Sequence, residues 1–471
     1  MKDTAGHEKY RQLQIEGCSR EDRLEAEETG GAYSAMPMSE KGRDGAKPEG
    51  NDLLEKILSA DNLNEAYKKV KSNKGSHGID GMTVDELMPY LKEHGSELRE
   101  SILGGKYKPQ PVLRVEIPKP DGGVRQLGIP TVVDRVIQQA TAQVLTAIYE
   151  RKFSEGSYGF RPGRSAHQAI EASRVYLNEG YTWVVDIDLA KYFDTVNHDK
   201  LMRLVSNDIR DGRVISLVRK FLVSGVMVNG VVMETELGTP QGGPISPLLS
   251  NIMLHELDME LERRGLRFCR YADDCNIYVG SEKAARRVME SVTRFIEGDL
   301  KLKVNQEKST VDKATRLKFL GFSFYISKGE YKVRVHPKSA KKFKAKLKEL
   351  TGRSKSISLD ERLNELKQAI QGWVNYFGIA DMKTLAHSLD DWLRCRIRMC
   401  IWKTWKRVRT KFASLKRLGI EKNLAWQYAN TRKGYWRIAH SPVLCYSLTN
   451  ATLEKRGLVS ISALYSKRQS F

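Results

Sequence analysis

Arg270-Tyr271-Ala272-Asp273-Asp274-Cys275 is the stretch on which the reading of the whole chain turns. Two adjacent carboxylates follow an aromatic and a small residue. Phe268 and Cys269 precede them, and Ile277, Tyr278 and Val279 follow, so apolar flanks bracket a polar pair. That pattern predicts a β-hairpin with Asp273 and Asp274 at its turn. Apolar strands hold a tip rigidly, which a metal site needs. Adjacent aspartates repel one another, and a cation relieves that repulsion. Hard carboxylate oxygens suit Mg²⁺. On its own an Asp-Asp pair is an ordinary solvated turn, so its meaning depends on what other segments bring to it.

The nearest candidate partner is Trp183-Val184-Val185-Asp186-Ile187-Asp188-Leu189-Ala190-Lys191-Tyr192-Phe193-Asp194. An apolar strand runs into acidic residues and then turns into a helix. Asp188 stands at the strand's end, where its carboxylate reaches a metal bound by Asp273. Asp186 is in phase with it but one pair of residues deeper. Between these two acidic segments lies Gly238-Thr239-Pro240-Gln241-Gly242-Gly243-Pro244-Ile245-Ser246-Pro247. Its prolines and glycines force a defined loop, with a helix starting around Pro247. Exposed amides and the flat Gln241 side chain make a platform for a nucleotide.

Further toward the N-terminus, residues 112–117 alternate as a half-buried strand, and Pro120-Asp121-Gly122-Gly123 is a turn into a return strand, 124–130. Lys119 and Arg125 flank this tip. Two cations there suit a triphosphate, and a solvated hairpin is the competing reading. Ser157-Tyr158-Gly159-Phe160-Arg161-Pro162-Gly163-Arg164-Ser165 interleaves aromatics with arginines, as stacking on bases and contact with a strand backbone require. Core packing of Tyr158 and Phe160 competes with that reading. Ser165 is placed to cap the following helix. Residues 226–237 predict a second hairpin turning at Asn229-Gly230.

Beyond His336 the composition becomes helical and basic. Leu359, Leu363, Leu366, Ile370, Trp373 and Phe377 recur by threes and fours, marking an amphipathic helix. A second stripe runs from Leu389 to Leu415. Its other faces carry Arg394, Arg398, Lys403, Lys406 and Arg407 beside Trp402 and Trp405, a composition that suits structured RNA.

The 471 residues suffice for two or three domains, and 79 Lys+Arg against 58 Asp+Glu leave a net charge of +21. That excess points to a polyanion partner, most simply nucleic acid, although a ribosomal-type structural protein has the same composition. The six cysteines form no CxxC pair, which argues against a zinc ribbon and for buried free thiols in a reducing compartment. Residues 1–50 lack the apolar core of a signal peptide, and no run approaches the roughly 18–20 apolar residues of a membrane span. A cytoplasmic protein without membrane contact is expected.

Taken in order, these segments resemble the group II intron-encoded reverse transcriptases, or maturases, of the bacterial type that lacks the HNH endonuclease domain. The likeness runs from about residue 52 onward. Residues 73–83 look like the N-terminal fingers block, IPKPDGGVRQLGIPT (117–131) like the fingers hairpin, and SYGFRPGRSAHQA (157–169) like the next fingers block. DIDLAKYFDTVNH (186–198), GTPQGGPISPLLSN (238–251), YADD (271–274), LKVNQEKS (302–309) and FLGF (319–322) look like polymerase motifs A to E. RLNELKQAIQGWVNYF (362–377) resembles the maturase thumb.

The resemblance implies an α+β fold: a right-hand polymerase whose fingers and palm carry an antiparallel palm sheet, followed by an α-helical thumb, the maturase X domain. The implied boundaries are a polar, weakly ordered arm at 1–51, fingers and palm at 52–335, thumb at 336–430 and a basic segment at 431–471 that suits target DNA. Asp188, Asp273 and Asp274 would be catalytic. Asp188, the Leu189 carbonyl and Asp273 would hold two Mg²⁺ ions. The family's gate aromatic lies five residues after the motif A aspartate, which selects Asp188 over Asp186 and makes Phe193 the filter against a ribose 2′-hydroxyl. Lys119, Arg125, Gln241 and Lys308 would contact the nucleotide, Lys308 near the departing phosphate. Arg161, Arg164 and the thumb cations would grip RNA. The implied partners are a group II intron RNA, an RNA template with a DNA primer, dNTPs and target DNA, with a homodimer as an option. The implied activity is RNA-directed DNA synthesis combined with assistance to intron splicing and retrohoming. A free-standing retron- or defence-type reverse transcriptase, and a splicing factor without polymerase activity, are the alternatives. No Cys/His cluster of an endonuclease follows the thumb, so none is expected.

Overall fold

The computed structural model describes residues 52–118, 123–228, 231–233, 237–238 and 242–470. The expected arm at 1–51, the tips of the hairpins at 112–130 and 226–237, Lys119 and Gln241 lie outside these residues. The described chain divides into two compact units, the first ending at Lys313 and the second beginning at Ala314.

The first unit opens with helices α1 (Leu53–Ile57), α2 (Ala60–Ser72) and α3 (Leu87–Leu103). Strands β1 (Val112–Pro118) and β2 (Val124–Ile129) then pair antiparallel, with Ile117 opposite Arg125. Helix α4 (Val132–Tyr149) follows, capped by Thr131, whose side chain accepts from the Asp134 amide. Helix α5 (Ala166–Asn178) begins at the expected cap: Ser165 and Gln168 form a reciprocal capping box. Next come β3 (Trp183–Ile187), α6 (Tyr192–Thr195), α7 (His198–Asp208), α8 (Gly212–Leu222), β4 (Val226–Val228) and β5 (Val231–Met233). Then follow α9 (Ser246–Arg263), β6 (Arg267–Tyr271), β7 (Asp274–Val279), α10 (Glu282–Gly298) and β8 (Thr310–Lys313).

Two sheets result. One runs β2-β1-β4-β5, with β4 joining β1 in parallel. The other runs β6-β7-β3-β8 and is antiparallel throughout, as expected for the palm. Val184, Val185 and Ile187 of β3 are buried, as are Cys275, Ile277, Tyr278 and Val279 of β7. Such continuously apolar strands need cover on both faces. Helix α10 packs on β3 and α5 packs on β6. Helix α9 buries Leu248, Leu249, Ile252, Met253, Leu254, Leu257 and Leu261, more than a single stripe, and so runs through the core. Residues 300–304, whose Leu300, Leu302 and Val304 alternate as in a strand, form one bridge only, Val304 opposite Leu189, and those three apolar residues are buried. Their alternation reflects burial rather than a laddered strand.

The second unit pairs β9 (Phe322–Ser327) with β10 (Glu330–Val335) and continues through α11 (Pro337–Leu350), α12 (Leu359–Phe377) and α13 (Lys383–Thr404). It ends with α14 (Val408–Arg417), α15 (Lys422–Ala429), α16 (Tyr435–Ala439), α17 (Pro442–Ser447), α18 (Asn450–Lys455) and α19 (Ile461–Gln469). The boundary expected at 335/336 therefore falls inside this unit. The cause is the packing of β9 and its preceding turn on α12. Phe322 meets Phe377 with ring centroids 5.0 Å apart, and the Tyr376 hydroxyl donates to the Leu320 carbonyl at 2.9 Å. The stripe read from Leu389 to Leu415 is two helices, α13 and α14, broken at the buried Trp405.

Candidate active site

The Asp273-Asp274 hairpin forms as its sequence predicts. Tyr271 pairs with Asp274, so Ala272 and Asp273 alone make the two-residue turn and Asp274 begins the return strand. Ala272 has φ +55°, a left-handed conformation that costs an L-residue about 1–2 kcal/mol. Two neighbours hold it there. The Ala272 carbonyl accepts a hydrogen bond from Arg270 Nη1 at 3.0 Å. Gly159 backs the turn so closely that a Cβ on it would lie 2.3 Å from the Ala272 nitrogen.

Arg270 is wholly buried, and so is its partner Asp258 on α9. The guanidinium donates to both Asp258 oxygens at 2.6 and 2.5 Å, to Asn251 Oδ1 at 3.0 Å and to Ser157 Oγ at 2.7 Å. Asn251 in turn donates to the Gly159 carbonyl at 2.9 Å. The backbone of Arg270 is clasped too: its amide donates to Gly156, and its carbonyl accepts from Tyr158, both at 2.8 Å. Burial pulls the Arg270 pKa down, but the Asp258 carboxylate outweighs it and leaves the group above the ordinary arginine value. Sequence reasoning gave Arg270, Asp258, Asn251 and Ser157 no role. The available signal was a charged residue inside an otherwise apolar strand, two positions before the turn.

Asp188 follows the last residue of β3. The register pairs Ile187 with Cys275, so the next step sets Asp188 against Asp274 with Asp273 beside it in the turn. Asp186, opposite Asn276, lies one pair deeper, as expected. The Asp188 amide donates to Ser309 Oγ at 3.0 Å, its carbonyl accepts from the Asn305 amide at 2.8 Å, and Asn305 Nδ2 approaches Asp188 Oδ1 at 3.3 Å. Asn305 and Ser309 also went unassigned in the sequence. Leu189 and Val304 form an antiparallel bridge whose hydrogen bonds belong to their neighbours: Ala190 donates to the Lys303 carbonyl and Asn305 to that of Asp188. Leu189 is thus in the non-hydrogen-bonded position, and its own carbonyl points away from Val304, toward the β7 side.

Among the described residues no three His, Cys, Asp or Glu side chains gather closely enough to cage a metal by themselves. The donor set nonetheless fits Mg²⁺, which usually takes one or two carboxylates and completes its shell with water and substrate phosphates.

After Asp188 the chain turns sharply at Lys191, φ +47°, and presents Phe193 half-buried against Tyr192, with centroids 5.2 Å apart. The glycine-rich loop closes over this turn. Gly238 donates to the Val196 carbonyl at 2.8 Å, and a Cβ on Gly238 would lie 2.8 Å from the Phe193 oxygen. His198 Nε2 contacts the Gly238 carbonyl at 2.6 Å. Gly242 fits against β2, where a Cβ would meet the Gly128 oxygen at 2.7 Å. Glycine here is a condition of closure between the fingers strand and the loop. Arg125 is half-buried on β2, and Lys308 is exposed in the turn after Asn305.

The basic residues separate into two groups. Arg161 is buried, donating to both Glu150 oxygens and to the carbonyls of Ser154 and Ser157. Arg398 is buried and donates to the Leu448 carbonyl at 3.0 Å. The expectation that these two grip RNA is corrected: both side chains are buried and hydrogen-bonded within the fold. Tyr158, Trp402 and Trp405 are buried as well, so they pack rather than stack on bases. Arg164 pairs with Glu155 and lies over the Tyr158 ring, while Arg394 pairs with Asp391 at 3.0 Å. Lys406 and Arg407 are exposed, and Lys403 is half-exposed.

Two family models match successive parts of the chain. Residues 117–324 match the reverse transcriptase (RNA-dependent DNA polymerase) family, and residues 340–419 match the group II intron, maturase-specific domain. Protein YkfC of Escherichia coli strain K12 is 37% identical over 299 residues, which cover 55% of this chain and 78% of YkfC. Group II intron-encoded protein LtrA of Lactococcus lactis subsp. cremoris is 30% identical over 340 residues, 58% of this chain and 56% of LtrA. No described helix is long and apolar enough to cross a membrane. With an antiparallel palm sheet carrying its three aspartates at one end, and a helical unit matching the maturase domain, the chain belongs to the group II intron-encoded reverse transcriptase and maturase family.

Proposed function

We propose that this protein copies RNA into cDNA at the site formed by Asp188, Asp273 and Asp274, and that it binds its group II intron RNA to assist splicing and retrohoming. The observation that supports the reading is the register that pairs Ile187 with Cys275 and Tyr271 with Asp274, which brings the end of β3 beside the turn that carries Asp273. Two Mg²⁺ ions, when bound, supply the charge neutralisation and hydroxyl activation of phosphoryl transfer. Asp188, Asp273 and the Leu189 carbonyl hold them. Asp274 completes the catalytic set. Phe193 excludes a ribose 2′-hydroxyl. Lys119 and Arg125 neutralise the triphosphate, Gln241 lines the nucleotide pocket, and Lys308 donates a proton toward the departing pyrophosphate. The template is RNA, the primer DNA, and the target of mobility a DNA site. Lys403, Lys406 and Arg407 face RNA, as do Arg394 in the same unit and, separately, Arg164 in the first.

Asp273→Ala tests the two roles together. Primer extension on an RNA template in Mg²⁺ should fall to background, while splicing of the cognate intron stays near the parent level, because the ribozyme performs that chemistry. Parent-like extension by Asp273→Ala would remove the proposed site.

A further inference from the structure

We propose that Arg270 is a positioning residue for the polymerase reaction, acting through the peptide that joins Ala272 to Asp273. The inference rests on reading Asp273 as a catalytic residue. A guanidinium has five N–H donors, and Arg270 uses each of them. Nε and one Nη2 donor go to Asp258, the second Nη2 donor to Ser157, and the two Nη1 donors to Asn251 and to the Ala272 carbonyl. The Ala272–Asp273 peptide is planar, so fixing its oxygen fixes where the Asp273 nitrogen and Cα lie.

The preceding peptide is held from the other side. A Cβ on Gly159 would lie 2.3 Å from the Ala272 nitrogen and 2.9 Å from the Tyr271 carbonyl carbon, so Gly159 is in close backbone contact with it. Asn251 links both clamps, accepting from Arg270 and donating to the Gly159 carbonyl. Ala272 therefore keeps its left-handed φ of +55° between two anchored peptides. A buried ion pair is a poor way to gain stability, since apolar residues of similar volume often serve as well. Here the guanidinium fixes four partner residues in direction, Asp258, Asn251, Ser157 and Ala272, the last adjoining a metal-binding carboxylate.

The test compares the full-length parent, Asp273→Ala, Arg270→Lys and Asn251→Ala. Lysine keeps the charge for Asp258 but has three donors and no fork, so it cannot also hold Ala272 in place. Single-turnover primer extension on an RNA template is measured against dNTP concentration. Hydrogen exchange is measured at residues 271–274, in β3 and in α9. For Arg270→Lys the maximal rate should drop about tenfold to a hundredfold, with dNTP half-saturation within about twofold of the parent. Exchange should rise at 271–274 while β3 and α9 stay protected. A folded Arg270→Lys with the parent rate, a loss carried by half-saturation alone, or exchange rising throughout the palm would each overturn the proposal. If Arg270→Lys does not fold, Asn251→Ala decides. It leaves the Arg270–Asp258 pair intact, and the same rate-specific loss is expected at about three- to tenfold; a parent-like rate overturns the inference. Asp273→Ala separates the two layers. If it extends normally, the site reading fails; if it is inactive while Arg270→Lys and Asn251→Ala match the parent, only the positioning role fails.

Discussion

Phe193 shows how a single side chain can be placed by its backbone. The turn at Lys191, with φ +47°, reverses the chain after Asp188, and Gly238 seats against the Phe193 carbonyl because it has no Cβ. Ring position is thus set by two close backbone fits rather than by ring packing alone. Phe193→Val shortens the filter without disturbing either fit. Competition between dNTP and rNTP on one template should show discrimination reduced by about tenfold or more; unchanged discrimination would refute the gate. The placing of Asp188, Asp273 and Asp274 at the ends of apolar strands was legible in the sequence, whereas Phe193 was singled out by the family resemblance alone. The roles of Arg270 and Arg161 were not legible. An arginine in a loop or strand reads as a surface cation, and only the fold reveals carbonyls and carboxylates converging on it. For Arg161 the aromatic neighbours misled further, since Tyr158 is buried beneath Arg164 rather than offered to a base, and Arg161 itself lies over the Phe153 ring.

Among the elements, α9 couples the glycine-rich loop to the hairpin. Its N-terminal half supplies Asn251, its middle Asp258, and its last turn a charge cluster in which Glu260 meets Arg263 and Arg264. The hydrogen bond from Arg263 and the pairing with Arg264 outweigh desolvation and pull Glu260 from the usual 4.5 to about 2. A carboxylate depressed in the folded state stabilises it above its unfolded pKa and loses that contribution as pH falls toward the folded value. The window here is pH 4.5 down to about 2. Melting followed from pH 6 to pH 3 should therefore show a steeper acid decline for the parent than for Glu260→Gln, with the two curves converging in acid; parallel curves would show that Glu260 contributes nothing. The helix itself was legible from Pro247 and its apolar run. Its central position was less so, because residues buried all round leave no amphipathic stripe to read. The same limit hid the break at Trp405, where the apolar spacing of α13 continues into α14 across a buried residue.

Across the whole molecule, the net charge of +21 was the first sign of a polyanion partner, yet charge alone did not say which cations meet it. Several of the most suggestive ones are consumed internally: Arg161 and Arg398 on carbonyls, Arg270 on Asp258, and Arg396 on the Thr351 hydroxyl and the carbonyls of Lys348 and Thr351. Arginine suits such work, because its planar fork satisfies several acceptors at once. The segment around α14 is different. Lys403, Lys406, Arg407, Arg409, Lys411, Lys416 and Arg417 carry seven positive charges with no acidic residue among them. Lys406, Arg407, Arg409, Lys416 and Arg417 are exposed. Contacts between such cations and phosphates release counterions, so binding weakens with salt in proportion to the number of contacts. Replacing Lys406 and Arg407 together by alanine should reduce the slope of log affinity for intron RNA against log salt by about 1 per cation lost. Filter binding or fluorescence anisotropy across about 50–300 mM salt reads that slope directly. A uniform loss of affinity with an unchanged slope would mean that the residues shape the helix rather than meet phosphate. A slope reduced by the full amount would assign this face to RNA.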